Sequence, residues 1–200
     1  MTRTRFVPTL VASLLLAAAP ALAQEQQMSP EMAAEMAAWQ AYMTPGEEHQ
    51  QLVAGAGEWR QELTFWMAPG GEAQQATSTS TVEPILGGRY LSEEMTGTMM
   101  GMPFEGRGTF GYDNAKDQHF MTWVDNMGTG LMVGWGVPEG ENKVTYSGTF
   151  VDPATGEDKP FRSVVTEVDA NHMIMEMYVP TPDGSGEFKN MEIHSYRETP

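Results

Sequence analysis

Four methionines lie within the stretch Met95–Met102, and this density of thioether groups raises the question of a copper site. Thioethers are soft ligands that suit Cu(I), but a site needs about three sulfur atoms directed at one point. If the stretch is one continuous strand, Met95 and Met99 point to one face while Met100 and Met102 point to the other. We therefore expect weak Cu(I) binding or none, and we interpret these side chains as core filling.

A second set of residues combines apolar and titratable side chains on one strand face. His119, Met121, Trp123 and Asp125 occupy alternate positions, so an unbulged strand points them all in one direction. If that direction is inward, the face offers an aromatic wall with few polar groups, a mixture typical of ligand pockets. We expect Arg107, on a neighbouring strand, to balance the charge of Asp125. An ion pair and a packed tryptophan that only stabilise the fold remain the alternative.

Other motifs give little support for catalysis or for a cofactor. Gly106–Gly111 matches the pattern G-x-G-x-x-G, but a turn and another strand-like segment follow it, where dinucleotide binding requires a helix. The four histidines form no close metal-binding spacing. His194 precedes Tyr196 on one strand face and could offer an axial haem ligand, although an exposed or hydrogen-bonded histidine is the simpler interpretation. We therefore predict no metal and no cofactor.

The charge and the amino terminus restrict the partners and the compartment. A formal net charge of −16 repels phosphate backbones, so we do not expect nucleic acid as a partner. Arg3 and Arg5 precede an apolar run from Leu10 to Ala19 and the small-residue triplet 21–23, which is the layout of a secretory signal peptide. We predict cleavage after Ala23, a periplasmic or secreted protein, and no stable membrane insertion, since no later apolar run is long enough to span a bilayer.

The remaining sequence divides into a helical segment, residues 24–44, and a strand-rich domain, residues 45–200. Ser29 is placed as an N-cap before Pro30, which favours a helix whose methionines and Trp39 form one stripe. Thr44 and Glu47 have the capping-box pattern of a second short helix. Beyond it, short segments rich in β-branched and aromatic residues alternate with turn signals. This pattern predicts an all-β antiparallel up-and-down barrel of about ten strands, because closure removes the sheet edges.

Several short segments, in order, carry a family resemblance. They are His49–Leu52, Gly57–Trp59, Ile85–Leu91, Gly101–Gly106, Gly111–Asp113, Trp123–Asn126, Met191–Ile193 and Tyr196–Arg197. Together they resemble the secreted bacterial family called domain of unknown function 1579, which is grouped with lipocalin-like barrels. In such barrels an arginine from the last strand commonly covers a tryptophan at the start of the first, so the resemblance implies that Arg197 stacks on Trp59.

The resemblance carries no established activity, so function has to be inferred from the predicted interior. We expect a binding protein that holds a small, largely apolar ligand among Arg107, His119, Trp123 and Asp125. The alternatives are an enzyme that uses His119 with Asp125 for isomerase or hydrolase chemistry, and a methionine-based Cu(I) protein. We favour a protein without catalysis; its protein partners are unknown, and the methionine stripe of the first helix leaves a partner-binding helix as an alternative.

Overall fold

The computed structural model describes residues 28–198, and the signal peptide predicted for residues 1–23 lies outside them. Two helices precede ten strands. The helices are α1, Pro30–Met43, and α2, Glu47–Ala54. The strands are β1, Gly57–Phe65; β2, Gln74–Ile85; β3, Tyr90–Met99; β4, Met102–Asp113; β5, Gln118–Asp125; β6, Met132–Pro138; β7, Lys143–Val151; β8, Asp158–Asp169; β9, His172–Pro180; and β10, Glu187–Arg197.

Each strand pairs antiparallel with its sequence neighbours, and β1 also pairs with β10, which closes the sheet. The prediction of an up-and-down barrel of about ten strands is therefore confirmed. Alternation sets the inward face. Trp59, Gln61, Leu63 and Phe65 of β1 are buried, whereas the residues between them are exposed or only half-buried, as a strand with one interior face requires.

Helix α1 begins as expected and projects an uncovered apolar surface. The Ser29 side chain accepts a hydrogen bond from the Met32 backbone amide at 3.2 Å. No residue of α1 is buried. The expected apolar stripe is exposed at Met28, Met32, Met36, Trp39 and Met43. The helix is attached at its carboxyl end, where Asn114 Nδ2 donates to the carbonyls of Ala41 and Thr44 at 3.1 and 2.8 Å.

The expected capping box of α2 is wrong in its residues. The helix begins two residues later than expected, with Gly46 as the N-cap, and His49 takes the role that was assigned to Glu47. The backbone amide of Gly46 donates to His49 Nδ1 at 3.1 Å. Thr44 instead closes α1, because its hydroxyl donates to the Gln40 carbonyl at 2.6 Å.

The methionine-rich stretch is a hairpin and not one continuous strand, so the predicted division of its side chains between two faces is wrong. β3 ends at Met99, β4 begins at Met102, and these two residues are paired. Met100 and Gly101 form the turn, with φ of 52° and 76°, the left-handed values of a two-residue hairpin loop. Met95 is buried and Met99 packs beside it in the barrel core. Met100 and Met102 are about half exposed.

Candidate functional site: the barrel interior

One end of the barrel is closed by Trp59, Arg197 and the helix α2. The Trp59 side chain is 2% exposed, and the Arg197 guanidinium carbon lies 4.3 Å from the centre of its ring. Trp59 Nε1 donates to the carbonyl of Gly55, just after α2, at 3.1 Å. The structure thus brings together the two residues that the family resemblance pairs, as a cation–π contact.

All three guanidinium nitrogens of Arg197 donate hydrogen bonds to backbone carbonyls. Its Nε donates to Ala170 at 3.0 Å, and its two terminal nitrogens donate to Ala56 and Ala54 at 2.5 and 2.9 Å. Gly57 makes room for this arrangement, because a Cβ at that position would lie 2.6 Å from a guanidinium nitrogen. Arg197 therefore fastens the end of β10 to the chain that follows α2, and its charge is committed to this closure.

His119 lies at the same end, beneath α2. Its Nε2 faces Glu48 of α2 at 3.6 Å, and its ring packs edge-on against Tyr112 with 5.0 Å between centroids. Its Nδ1 is buried without a hydrogen-bond partner in the described part of the chain. Burial lowers the pKa of His119, and the charge of Glu48 opposes that effect. A neutral ring with Nε2 protonated would direct an unpaired acceptor toward the interior.

Asp125 lies at the opposite end of β5 and does not meet His119. The two residues are six positions apart on one strand, a separation of about 20 Å. Asp125 accepts hydrogen bonds from Trp123 Nε1 at 3.0 Å and from the Met127 backbone amide at 2.9 Å. Chemistry shared by His119 and Asp125, the enzyme alternative drawn from the sequence, is therefore not supported by the geometry.

The expected pairing of Arg107 with Asp125 is also wrong. Gly106 and Gly108 are the residues of β4 that lie opposite Asp125 and Trp123, whereas Arg107 lies opposite Val124. Arg107 consequently points outward, where it contacts Glu94 of β3 at 3.0 Å with both side chains largely exposed. Parity along a single strand cannot reveal this, because the face of Arg107 depends on the register between β4 and β5.

A polar layer that the sequence analysis missed lies on the inner face of β1, β2 and β3. Gln61 Nε2 donates to Glu93 Oε1 at 3.2 Å, and the Ser78 hydroxyl donates to Gln61 Oε1 at 2.8 Å. Burial raises the pKa of the Glu93 carboxyl, and the hydrogen bond from Gln61 together with the nearby Ser80 hydroxyl offsets this in part. The Ser80 hydroxyl approaches Glu93 but does not reach full hydrogen-bond geometry with it. A signal for the layer was present, since Glu93 shares its strand parity with the buried Leu91 and Met95.

Large aromatic side chains lie along the barrel wall, over glycines of the neighbouring strands. Trp123 covers Gly106 and Gly108, where an added Cβ would come within 2.3 and 3.1 Å of the indole. Phe161 lies in the same way over Gly134 and Gly148, and Tyr146 over Gly136. Because these rings lie flat against the wall, they fill less of the space along the barrel axis than rings directed toward the axis would.

Several inward-facing side chains retain accessible surface. Trp123 and Met175 pack against the core cluster, and Glu93 binds the buried Gln61, yet all three are only half-buried. These side chains point into the barrel, so part of its inner wall is accessible. Toward the far end the interior is filled, because Leu63, Met95, Phe104 and Ile193 form a core cluster. The gap beside this cluster is too small for a water molecule.

Two further features lie outside the barrel wall. His194 alternates with the buried Ile193 and Ser195, and it contacts His172 at 3.1 Å and Glu192 at 3.0 Å between ring nitrogen and acceptor. It cannot offer a ligand to a group bound inside.

A groove of about 190 Å³ separates the segment between α1 and α2 from the outer edge of β3, β4 and β5, and its lining includes Tyr42, Arg89 and Phe120.

Comparison with known proteins identifies the family. The sequence profile described as "Protein of unknown function (DUF1579)" matches residues 44–197. The chain belongs to this family. Domain of unknown function 1579 thus covers α2 and the whole barrel, in agreement with the resemblance seen in the sequence, and it assigns no activity.

Among solved structures, the crystal structure of Rv2717c from M. tuberculosis is similar to this member of the family. The two align with a TM-score of 0.56 at 12% sequence identity, over 78% of this chain and 100% of the other. At that identity the likeness shows a shared fold and nothing further. No curated protein matches the chain at a significant level. Within residues 28–198, none of the helices has the length and apolar character needed to cross a membrane.

Proposed function

We propose that this protein binds a small, largely apolar ligand inside the barrel, between the Trp59 closure and the far core cluster. The observation that carries the proposal is Glu93, an inward-facing carboxyl group that is hydrogen-bonded to the buried Gln61 and whose pKa is raised by burial. A titratable group that is perturbed by burial inside a concave space marks a candidate functional site. The half-buried Trp123 and Met175 around that space supply the apolar surface that ligand pockets present.

The proposal uses the predicted ligand-binding residues His119, Trp123 and Asp125, and it does not depend on the predicted secretion. Export remains a prediction from the sequence. Trp123 is the member of this set best placed to touch a ligand, because it lies on the wall and is half-buried. His119 would face the ligand only from the α2 end, through its unpartnered Nδ1. Asp125 is engaged with Trp123 and would act by orienting the indole.

A fluorescence titration tests this proposal with two matched tryptophan variants. Trp123 lies on the interior wall, whereas Trp135 is 38% exposed and packs outside, against Phe120 and Lys116. N-Phenyl-1-naphthylamine, an apolar probe that brightens when it leaves water, should bind with saturation and quench protein emission by energy transfer. Trp123→Phe should remove a larger share of the quenching than Trp135→Phe. Absence of saturable binding, or equal effects of the two variants, would contradict interior binding.

A further inference from the structure

The interior described above is rich in hydrogen-bond acceptors and has no free cation among the described residues. The inward rows of the strands, followed through their cross-strand partners, carry two cationic residues, Arg197 and Lys159. The nitrogens of Arg197 are held by the carbonyls of Ala54, Ala56 and Ala170. Lys159, near the start of β8, pairs with Glu157 at 3.1 Å. The barrel therefore has no spare positive charge to meet an anionic ligand.

The Glu93 carboxyl is the acidic group of the polar layer, and only one of its oxygens is well satisfied. Oε1 accepts from Gln61, while the second oxygen has no hydrogen-bond donor of good geometry in residues 28–198. The neighbouring Ser80 hydroxyl, which can donate or accept, and the Nδ1 atom of His119 are buried without a partner. Buried polar atoms without a hydrogen-bond partner destabilise a folded protein unless a partner reaches them.

Resting on the proposed function, we propose that the ligand is an apolar amine whose ammonium group binds the Glu93 carboxylate. An ammonium group supplies up to three donors and the opposite charge, which stabilises the ionised carboxylate in a place where water cannot solvate it fully. Gly108 of β4 pairs with Glu93 on one side and with Trp123 on the other. The Trp123 indole on this wall adds a ring face that attracts cations. An alcohol of the same length would use the apolar wall but not the charge, and a carboxylate would be repelled.

The test compares three ligands of equal length, n-octylamine, 1-octanol and octanoate, by isothermal titration calorimetry at pH 7. The wild-type protein should bind the amine at least about tenfold more tightly than the alcohol, which corresponds to about 1.4 kcal/mol, and should bind octanoate most weakly. Glu93→Gln should lower the amine affinity to that of the alcohol, while the alcohol affinity stays within about twofold.

A matched control is the adjacent Glu94, which lies on the outer face of β3 with Arg107. Glu94→Gln removes the same charge from the protein and should leave the amine preference unchanged. If Glu93→Gln and Glu94→Gln weaken amine binding equally, the amine is attracted by the acidic surface and the inference is wrong. Equal affinity of the wild type for amine and alcohol would overturn the inference and leave interior binding intact. Failure of all three ligands to bind would overturn the proposed function itself.

The Glu93→Gln variant should fold, because the amide keeps the size of the carboxyl group and still offers an oxygen to Gln61. Circular dichroism and the urea midpoint verify this before the titrations. If the variant does not fold, the same titrations with Trp123→Leu test the inference. Removal of the indole should reduce the amine affinity by a larger factor than the alcohol affinity, because only the cation gains from the ring face. An equal loss for both ligands would contradict the cation contact.

Discussion

Truncation of Trp59 to alanine should be among the most damaging single changes in this barrel. The side chain is 2% exposed, and replacing a buried aromatic residue with alanine costs roughly 3–5 kcal/mol through lost burial and the cavity left behind. Two specific contacts add to this, the hydrogen bond from Nε1 to Gly55 and the stacking of Arg197 at 4.3 Å. A loss of about 4 kcal/mol is a large part of the stability of an ordinary domain.

The contribution of the stacked pair can be separated by a double-mutant cycle of Trp59→Phe and Arg197→Lys. Phenylalanine keeps an aromatic face but loses the indole donor, and lysine keeps the charge but cannot reproduce the planar contacts with three carbonyls. Urea unfolding followed by far-ultraviolet circular dichroism gives the free energy of unfolding without depending on tryptophan emission. We expect a coupling energy of about 1 kcal/mol. Additive effects, or a loss below about 1 kcal/mol for Trp59→Ala, would refute the role assigned to this closure.

Three further predictions concern other regions. Because burial raises the folded-state pKa of Glu93, its contribution to stability is fully present below the unfolded pKa, about 4.3, and is lost as the pH rises through the folded pKa. Glu93→Gln should therefore gain stability relative to the wild type as the pH increases over that window; a difference in urea midpoint that does not change with pH would contradict this. Cu(I) should bind weakly or not at all, since Met95 and Met99 are committed to the core side of the hairpin; a tight stoichiometric site in a chelator competition, lost on replacing Met99, Met100 and Met102, would show otherwise. Asn114→Ala should release the carboxyl end of α1 and raise amide hydrogen exchange in α1 with about 1 kcal/mol or less of global destabilisation; unchanged exchange would show that α1 is held elsewhere.

The fold could be predicted from the sequence because strand alternation and turn chemistry are local properties. The number of strands followed from these local properties, whereas the closure by Trp59 and Arg197 was implied by the family resemblance. Arg107 was misplaced because its direction depends on cross-strand register, and the observed register sets it opposite Val124. The hairpin at Met100 and Gly101 was missed because a methionine at φ 52° is an uncommon turn residue.

The interior site shows the same division between local and long-range information. The inward direction of Trp123 could be chosen from the large burial energy of an indole. Glu93 could have been found from its place between Leu91 and Met95 in an inward row, since a carboxyl group at such a position is unusual. Its link to Gln61, 32 positions away, depends on the register of β1, β2 and β3, and the lack of a nearby free cation depends on all ten strands; no local pattern encodes either.

The most direct test of a ligand-binding interior is a crystal structure of the protein grown with 1-octanol, a neutral probe that makes no demand on charge. We predict density for one octanol molecule along the barrel axis, bordered by Trp123 and Met175, with its hydroxyl toward Glu93. Methionine side chains that fill the axis and leave no density there would contradict a ligand-binding interior. So would density confined to the outer groove lined by Tyr42, Arg89 and Phe120.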